Sequence, residues 1–126
     1  MTDTDHRLPW HGVMVATALP LREDLSVDYD AYAAHCAWLV AEGCDGVVPN
    51  GSLGEYQTLT PEERSRVVHT AVDAVGADRV MLGTDFCFDM GYEKPLDIIR
   101  DNAVKLSRAD QARVVRENAA RLLRLR

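Results

Sequence analysis

Lysine is almost missing from this 126-residue chain, with only Lys94 and Lys105 present. An amine nucleophile at neutral pH needs burial or a neighbouring cation. Lys94 stands before Pro95 in a polar stretch and Lys105 lies in Val104-Lys105-Leu106, so both read as solvated side chains. Histidine is sparse too: of His6, His11, His35 and His69, no two are separated by one residue, which leaves no His-x-His pair for a metal. Cys36, Cys44 and Cys87 are an odd number without a Cys-x-x-Cys spacing, the pattern of reduced thiols in a cytoplasm. Positive charge is in deficit, with a net charge of -6, which argues against nucleic acid or an anionic membrane as partner. No apolar run reaches the roughly 18 residues of a membrane span. The N-terminus shows no basic, apolar leader, so a cytoplasmic location is expected. Repeats and low-complexity segments are absent as well.

What is present is the ordinary composition of a soluble globular protein, 47% hydrophobic and 27% charged. The arginines between Arg113 and Arg126 alternate with Leu, Val and Ala, the pattern of a solvated helix face rather than a nucleic-acid patch. Residues 1–11 are polar and expected to fray. Gly12 to Leu19 is a short apolar run ended by Pro20 and reads as a buried strand. Ser26 offers an N-cap with Asp28 in the first turn. Tyr29, Tyr32, Ala33, Cys36, Leu39 and Val40 then recur at helical spacing up to Gly43. Asp45 to Pro49 reads as a second strand, followed by a glycine-containing loop at Gly51 to Gly54.

The strongest local signal is Thr60-Pro61-Glu62-Glu63: an N-cap, a proline in the first helical position and the glutamate of a capping box. Val67, Val68, Ala71, Val72 and Val75 form the apolar stripe of that second helix, which Gly76 ends. A third strand is expected at Arg79 to Gly83, a helical turn at about 95–101, and a last helix capped by Ser107 with Ala112, Val115, Ala119 and Leu122 on its buried face. The order β-α-β-α-β-α predicts about three βα units on parallel strands with right-handed crossovers. A closed (β/α)8 barrel takes roughly 250 residues, so a partial barrel within one compact domain is the expectation.

Two groups of motifs stand in this frame. Thr17-Ala18-Leu19-Pro20, Gly43-Cys44-Asp45-Gly46, Asn50-Gly51-Ser52-Leu53-Gly54-Glu55 and Leu59-Thr60-Pro61-Glu62-Glu63 follow one another in residues 12–76. Together they resemble the first two units of the dihydrodipicolinate synthase / N-acetylneuraminate lyase family. The resemblance implies that Ser52, Leu53 and Gly54 cradle the carboxylate of a small 2-oxo acid such as pyruvate, with Ser52 as proton relay. Backbone N–H groups and a glycine are suited to such a cradle. That family's second loop hydroxyl is replaced here by Leu53, and its Schiff-base lysine has no counterpart in residues 12–76.

Residues 77–126 resemble the end of a decarboxylase-like amidohydrolase, through Gly83-Thr84-Asp85-Phe86-Cys87-Phe88-Asp89-Met90-Gly91 and Asn118-Ala119-Ala120-Arg121-Leu122-Leu123. That resemblance implies a role for Asp85 at a divalent metal such as zinc. The seam falls near Val75-Gly76-Ala77-Asp78. The expectation is therefore a lyase/aldolase-family chain lacking the catalytic lysine and inactive alone. The alternatives are an amidohydrolase or metal-dependent decarboxylase remnant using Asp85, and a non-enzymatic fusion or deletion product. No cofactor is expected outside the metal alternative. A homo-oligomer would cover the sheet edges left open by a partial barrel.

Overall fold

The computed structural model describes residues 12–83, Leu96 and residues 106–125. It is an α/β chain with parallel strands. Strand β1 (Met14–Ala16) pairs with β2 (Gly46–Val48), Val15 opposite Val47. Between them runs helix α1 (Tyr29–Ala41), and β2 is followed by helix α2 (Pro61–Val75). Val80 then forms a parallel bridge to Val47, so three chain segments lie side by side in sequence order.

The strands are shorter than the apolar runs suggest. Thr17 still donates its N–H to Val48 O at 3.3 Å, but the chain then leaves the sheet. Leu21 and Val27 form an antiparallel bridge that carries extended backbone as far as Val27. This bridge moves the start of α1. Asp28, not Ser26, is the N-cap, accepting from the Ala31 N–H at 3.0 Å. Ser26 instead turns back, its hydroxyl donating to Asp24 at 2.6 Å.

Helix α2 begins as its sequence predicts. The Thr60 hydroxyl accepts from the Glu63 N–H at 3.2 Å, and the Glu63 carboxylate accepts from the Thr60 N–H at 2.8 Å. A cap of this kind contributes about 1 kcal/mol. Tyr32, Cys36 and Leu39 of α1 and Val67, Ala71 and Val72 of α2 are buried in one cluster with Leu19, Val47 and Val80. The Arg66 guanidinium lies 3.8 Å over the Tyr29 ring and ties the two helices at their rim.

The third strand differs from expectation. Ala77–Arg79 is a single 3-10 turn, and only Val80 enters the sheet. Gly46 makes that approach possible: a Cβ at this position would stand 2.7 Å from the Arg79 carbonyl oxygen. Of the expected turn at 95–101, only Leu96 is among the described residues.

The last helix is continuous but irregular. Helix α3 (Arg108–Ala112), capped by the Ser107 hydroxyl, passes into a π-helical segment (Arg113–Glu117) and then α4 (Asn118–Leu122). The Asn118 N–H donates to Arg113 O, five residues back. This wide turn shifts the register, so the buried positions are Val114 and Asn118, while Ala112 of the expected face is exposed. Asn118 Nδ2 donates to Ala77 O at 2.5 Å and Val80 O at 2.7 Å. Arg121 donates to Asp78 O at 2.7 Å, and Val114 O accepts from the Leu82 N–H at 3.0 Å. Four bonds thus fasten the C-terminal helix to residues 77–82. No helix among the described residues is long and apolar enough to cross a membrane.

Candidate functional site

Parallel strands bring their carboxyl ends to one edge of the sheet, and the loops leaving that edge carry function in such folds. Here Thr17 follows β1, residues 49–54 follow β2, and residues 81–83 follow the Val80 bridge.

Thr17 is a junction of three elements. Its N–H is bonded to β2, and its hydroxyl shares a 2.8 Å hydrogen bond with the Tyr32 hydroxyl of α1. Both residues are 1% exposed. Burial raises the pKa of Tyr32 far above its usual value, against an opposing pull from Thr17. The neutral hydroxyl fastens α1 to the end of β1. Cys36 beside it is likewise raised by burial, which keeps its thiol protonated.

The β2 loop is tightly wound. Asn50 and Glu55 hold left-handed backbone, with φ of 59° and 57°, on either side of a single 3-10 turn at Ser52–Gly54. Gly54 is buried, and a Cβ there would sit 3.3 Å from the Thr17 carbonyl oxygen. Its own N–H donates to Gly51 O at 2.9 Å. The N–H groups of Ser52 and Leu53 precede this ladder, as the first amides of any helical turn do. Both residues are exposed, Leu53 by 64%. Asn50 anchors the loop from below, its Nδ2 donating to Arg64 O at 3.1 Å, while its buried Oδ1 has no partner among the described residues.

Of the residues singled out in the sequence, Ser52, Leu53 and Gly54 thus stand together on one turn. Asp85 lies outside the described residues, as do Phe86, Cys87, Phe88 and Met90, both lysines, and His6 and His11. The described donors do not make a metal shell. His69 pairs with Asp73 at 3.1 Å, His35 stacks on Trp38, and no group of three His, Cys, Asp or Glu side chains converges among the described residues. Thr17, Tyr32 and Arg64 were not legible as parts of this site. Their signal is tertiary: a threonine at a strand end, a tyrosine in an apolar stripe and an arginine in the first turn of a helix are ordinary in sequence.

Comparison with known proteins finds relatives of both kinds. Over 69 residues the chain is 44% identical to the 4-hydroxy-tetrahydrodipicolinate synthase of Agrobacterium fabrum (strain C58), covering 55% of this chain and 23% of that protein. It is 45% identical over 64 residues to the synthase of Anaeromyxobacter sp. (strain K), covering 51% and 21%. A DapA-like lyase of Halobacterium salinarum is 43% identical over 68 residues, covering 54% and 22%. The chain therefore spans less than a quarter of the length of these curated relatives. Among solved structures, dihydrodipicolinate synthase from Agrobacterium tumefaciens str. C58 superposes with a TM-score of 0.52 at 30% identity, over 56% of this chain and 25% of the other. The parallel βα units correspond to part of that enzyme's barrel. The model of the amidohydrolase family matches residues 9–125, across the lyase-like part as well as the end of the chain. On that match the chain belongs to the amidohydrolase family, with an N-terminal part like that of the dihydrodipicolinate synthases joined to an amidohydrolase-like segment.

Proposed function

We propose that the Ser52–Gly54 turn binds the carboxylate of a small 2-oxo acid, pyruvate being the simplest, and that these 126 residues alone do not turn it over. One observation carries the binding half: an exposed serine opens a 3-10 turn at the carboxyl end of a parallel strand, with Gly54 pressed against Thr17. The Ser52 and Leu53 N–H groups and the Ser52 hydroxyl supply donors to one carboxylate. Leu53 adds an amide but no side-chain donor, so the site offers one hydroxyl. Similarity to the synthases over half of the chain supports the ligand class.

The second half of the proposal rests on lysine. Schiff-base chemistry needs an unprotonated amine facing the bound carbonyl. In the sequence Lys94 and Lys105 read as solvated side chains, and residues 12–76 hold no lysine. An NMR titration of the labelled chain with pyruvate should give saturable shifts at Ser52, Leu53 and Gly54. Ser52→Ala should weaken binding about tenfold, the loss of a hydrogen bond to a charged group. Borohydride added with pyruvate should trap no adduct. Shifts that do not saturate would sink the binding claim, and a trapped lysine adduct would sink the claim of inactivity.

The family match across residues 9–125 favours a second reading, a metal-dependent hydrolase or decarboxylase with Asp85 as a ligand. A divalent ion would act there as a Lewis acid or activate a bound water. The described residues do not themselves compose its shell. Equilibrium dialysis against zinc decides between the readings. Stoichiometric uptake abolished by Asp85→Asn would establish this one, and zinc binding indifferent to that substitution would end it.

A further inference from the structure

We infer that Arg64 is the positioning residue of the carboxylate turn, a strap that holds residues 50–59 in their binding shape. The inference rests on the reading of Ser52–Gly54 as a carboxylate site. Two contacts of the guanidinium carry it, in the middle and at the end of the segment, and the backbone carbonyl of the same residue holds the start. At the start, the Arg64 carbonyl receives Asn50 Nδ2 at 3.1 Å, where the backbone takes its left-handed turn out of β2. In the middle, the guanidinium lies 4.2 Å over the Tyr56 ring, in the second 3-10 turn, Tyr56–Thr58. At the end, Arg64 Nε donates to Leu59 O at 3.0 Å, just before the Thr60 cap. Arg64 belongs to the first turns of α2, which the capping box and the buried Val67 fix in place. A rigid element thus grips a loop whose own hydrogen bonds are few and local.

The loop needs such a grip. Two non-glycine residues hold left-handed backbone within six positions, Asn50 and Glu55, and each such conformation costs energy that surrounding contacts must supply. The planar guanidinium is suited to this work, because it stacks on a ring with its face while donating with its edge. The Arg64 charge is engaged by Tyr56 and Leu59, so Arg64 acts on a ligand through the turn. Tyr56 and Leu59 thereby enter the site as well, although neither stands among Ser52, Leu53 and Gly54.

Amide hydrogen exchange on the full chain tests the strap without any ligand. Gly54 and Thr58 report it, since their N–H groups are bonded within the loop, to Gly51 O and Glu55 O, both at 2.9 Å. Arg64→Met keeps the stem and removes the guanidinium. It should raise exchange at Gly54 and Thr58 about tenfold while the amides of α1 keep their rates, a local opening. Arg64→Lys retains a cation but not the fork and should fall between. Pyruvate titrated into the same samples should bind about tenfold more weakly to Arg64→Met, as expected when a preorganised site is loosened. Unchanged exchange at Gly54 and Thr58 in both variants would overturn the inference. Failure of the unsubstituted protein to bind pyruvate would instead overturn the carboxylate reading, and the exchange rates would still judge the strap. Should Arg64→Met not fold, Arg64→Lys carries the same comparison.

Discussion

Gly46→Ala is expected to destabilise the fold by about 3 kcal/mol, from overpacking and a broken strand contact together. The added methyl would meet the Arg79 carbonyl oxygen at 2.7 Å and the Met14 sulfur at 2.6 Å. The methionine can swing aside, but the carbonyl belongs to the turn that delivers Val80 to the sheet. The backbone at 79–80 must therefore retreat from β2, and the Val47–Val80 bridge goes with it. Gly51→Ala is the matching control. It has no heavy atom within 4 Å of the added Cβ and an ordinary φ of -79°, so its melting curve should overlay the parent's. Urea denaturation of the two variants gives the comparison. Equal midpoints would mean that residues 79–80 do not sit against β2.

Asn118→Leu carries a comparable expected loss, about 3 kcal/mol or more. The substitution keeps the number of heavy atoms and the branching but strips the donor from two buried carbonyls, Ala77 O and Val80 O. Each orphaned buried acceptor costs about 1–3 kcal/mol. Asn118→Asp should be no better at neutral pH, because a carboxylate offers those carbonyls no hydrogen. Thermal melts give the stability, and exchange at the Leu82 amide, bonded to Val114 O, reports whether the helix has left the strand. A melting temperature unchanged in Asn118→Leu would show that the helix is held by Val114 and its apolar neighbours alone.

These two sites also mark the limit of what the chain discloses before it is folded. The capping box at Thr60-Pro61-Glu62-Glu63 was legible because all of its partners lie within four residues. The stripe Val67, Ala71, Val72 was legible because a regular helix repeats its pattern locally. The start of α1 was not, since the Leu21–Val27 bridge displaced the cap from Ser26 to Asp28, and such a bridge leaves no local signature. The buried face of the last helix shifted for a related reason. A π turn breaks the 3.6-residue period, and the residue it turns inward is a polar asparagine that no apolar pattern counts. At the candidate site, Ser52, Leu53 and Gly54 could be named from their loop motif. Arg64 could not, because its partners Asn50, Tyr56 and Leu59 converge only through the packing of α2 behind the turn.

The fastening of the last helix decides how far residues 77–82 can vary in sequence. The Asn118 and Arg121 side chains and the Val114 carbonyl bond to main-chain atoms of Ala77, Asp78, Val80 and Leu82, while the Val114 side chain lies in the core cluster with Ala77 and Val80. Bonds to peptide groups do not depend on which side chains residues 77–82 carry, whereas the packing of Val114 near Ala77 and Val80 does. The clasp thus has two parts, a main-chain latch that tolerates new side chains and an apolar contact that does not.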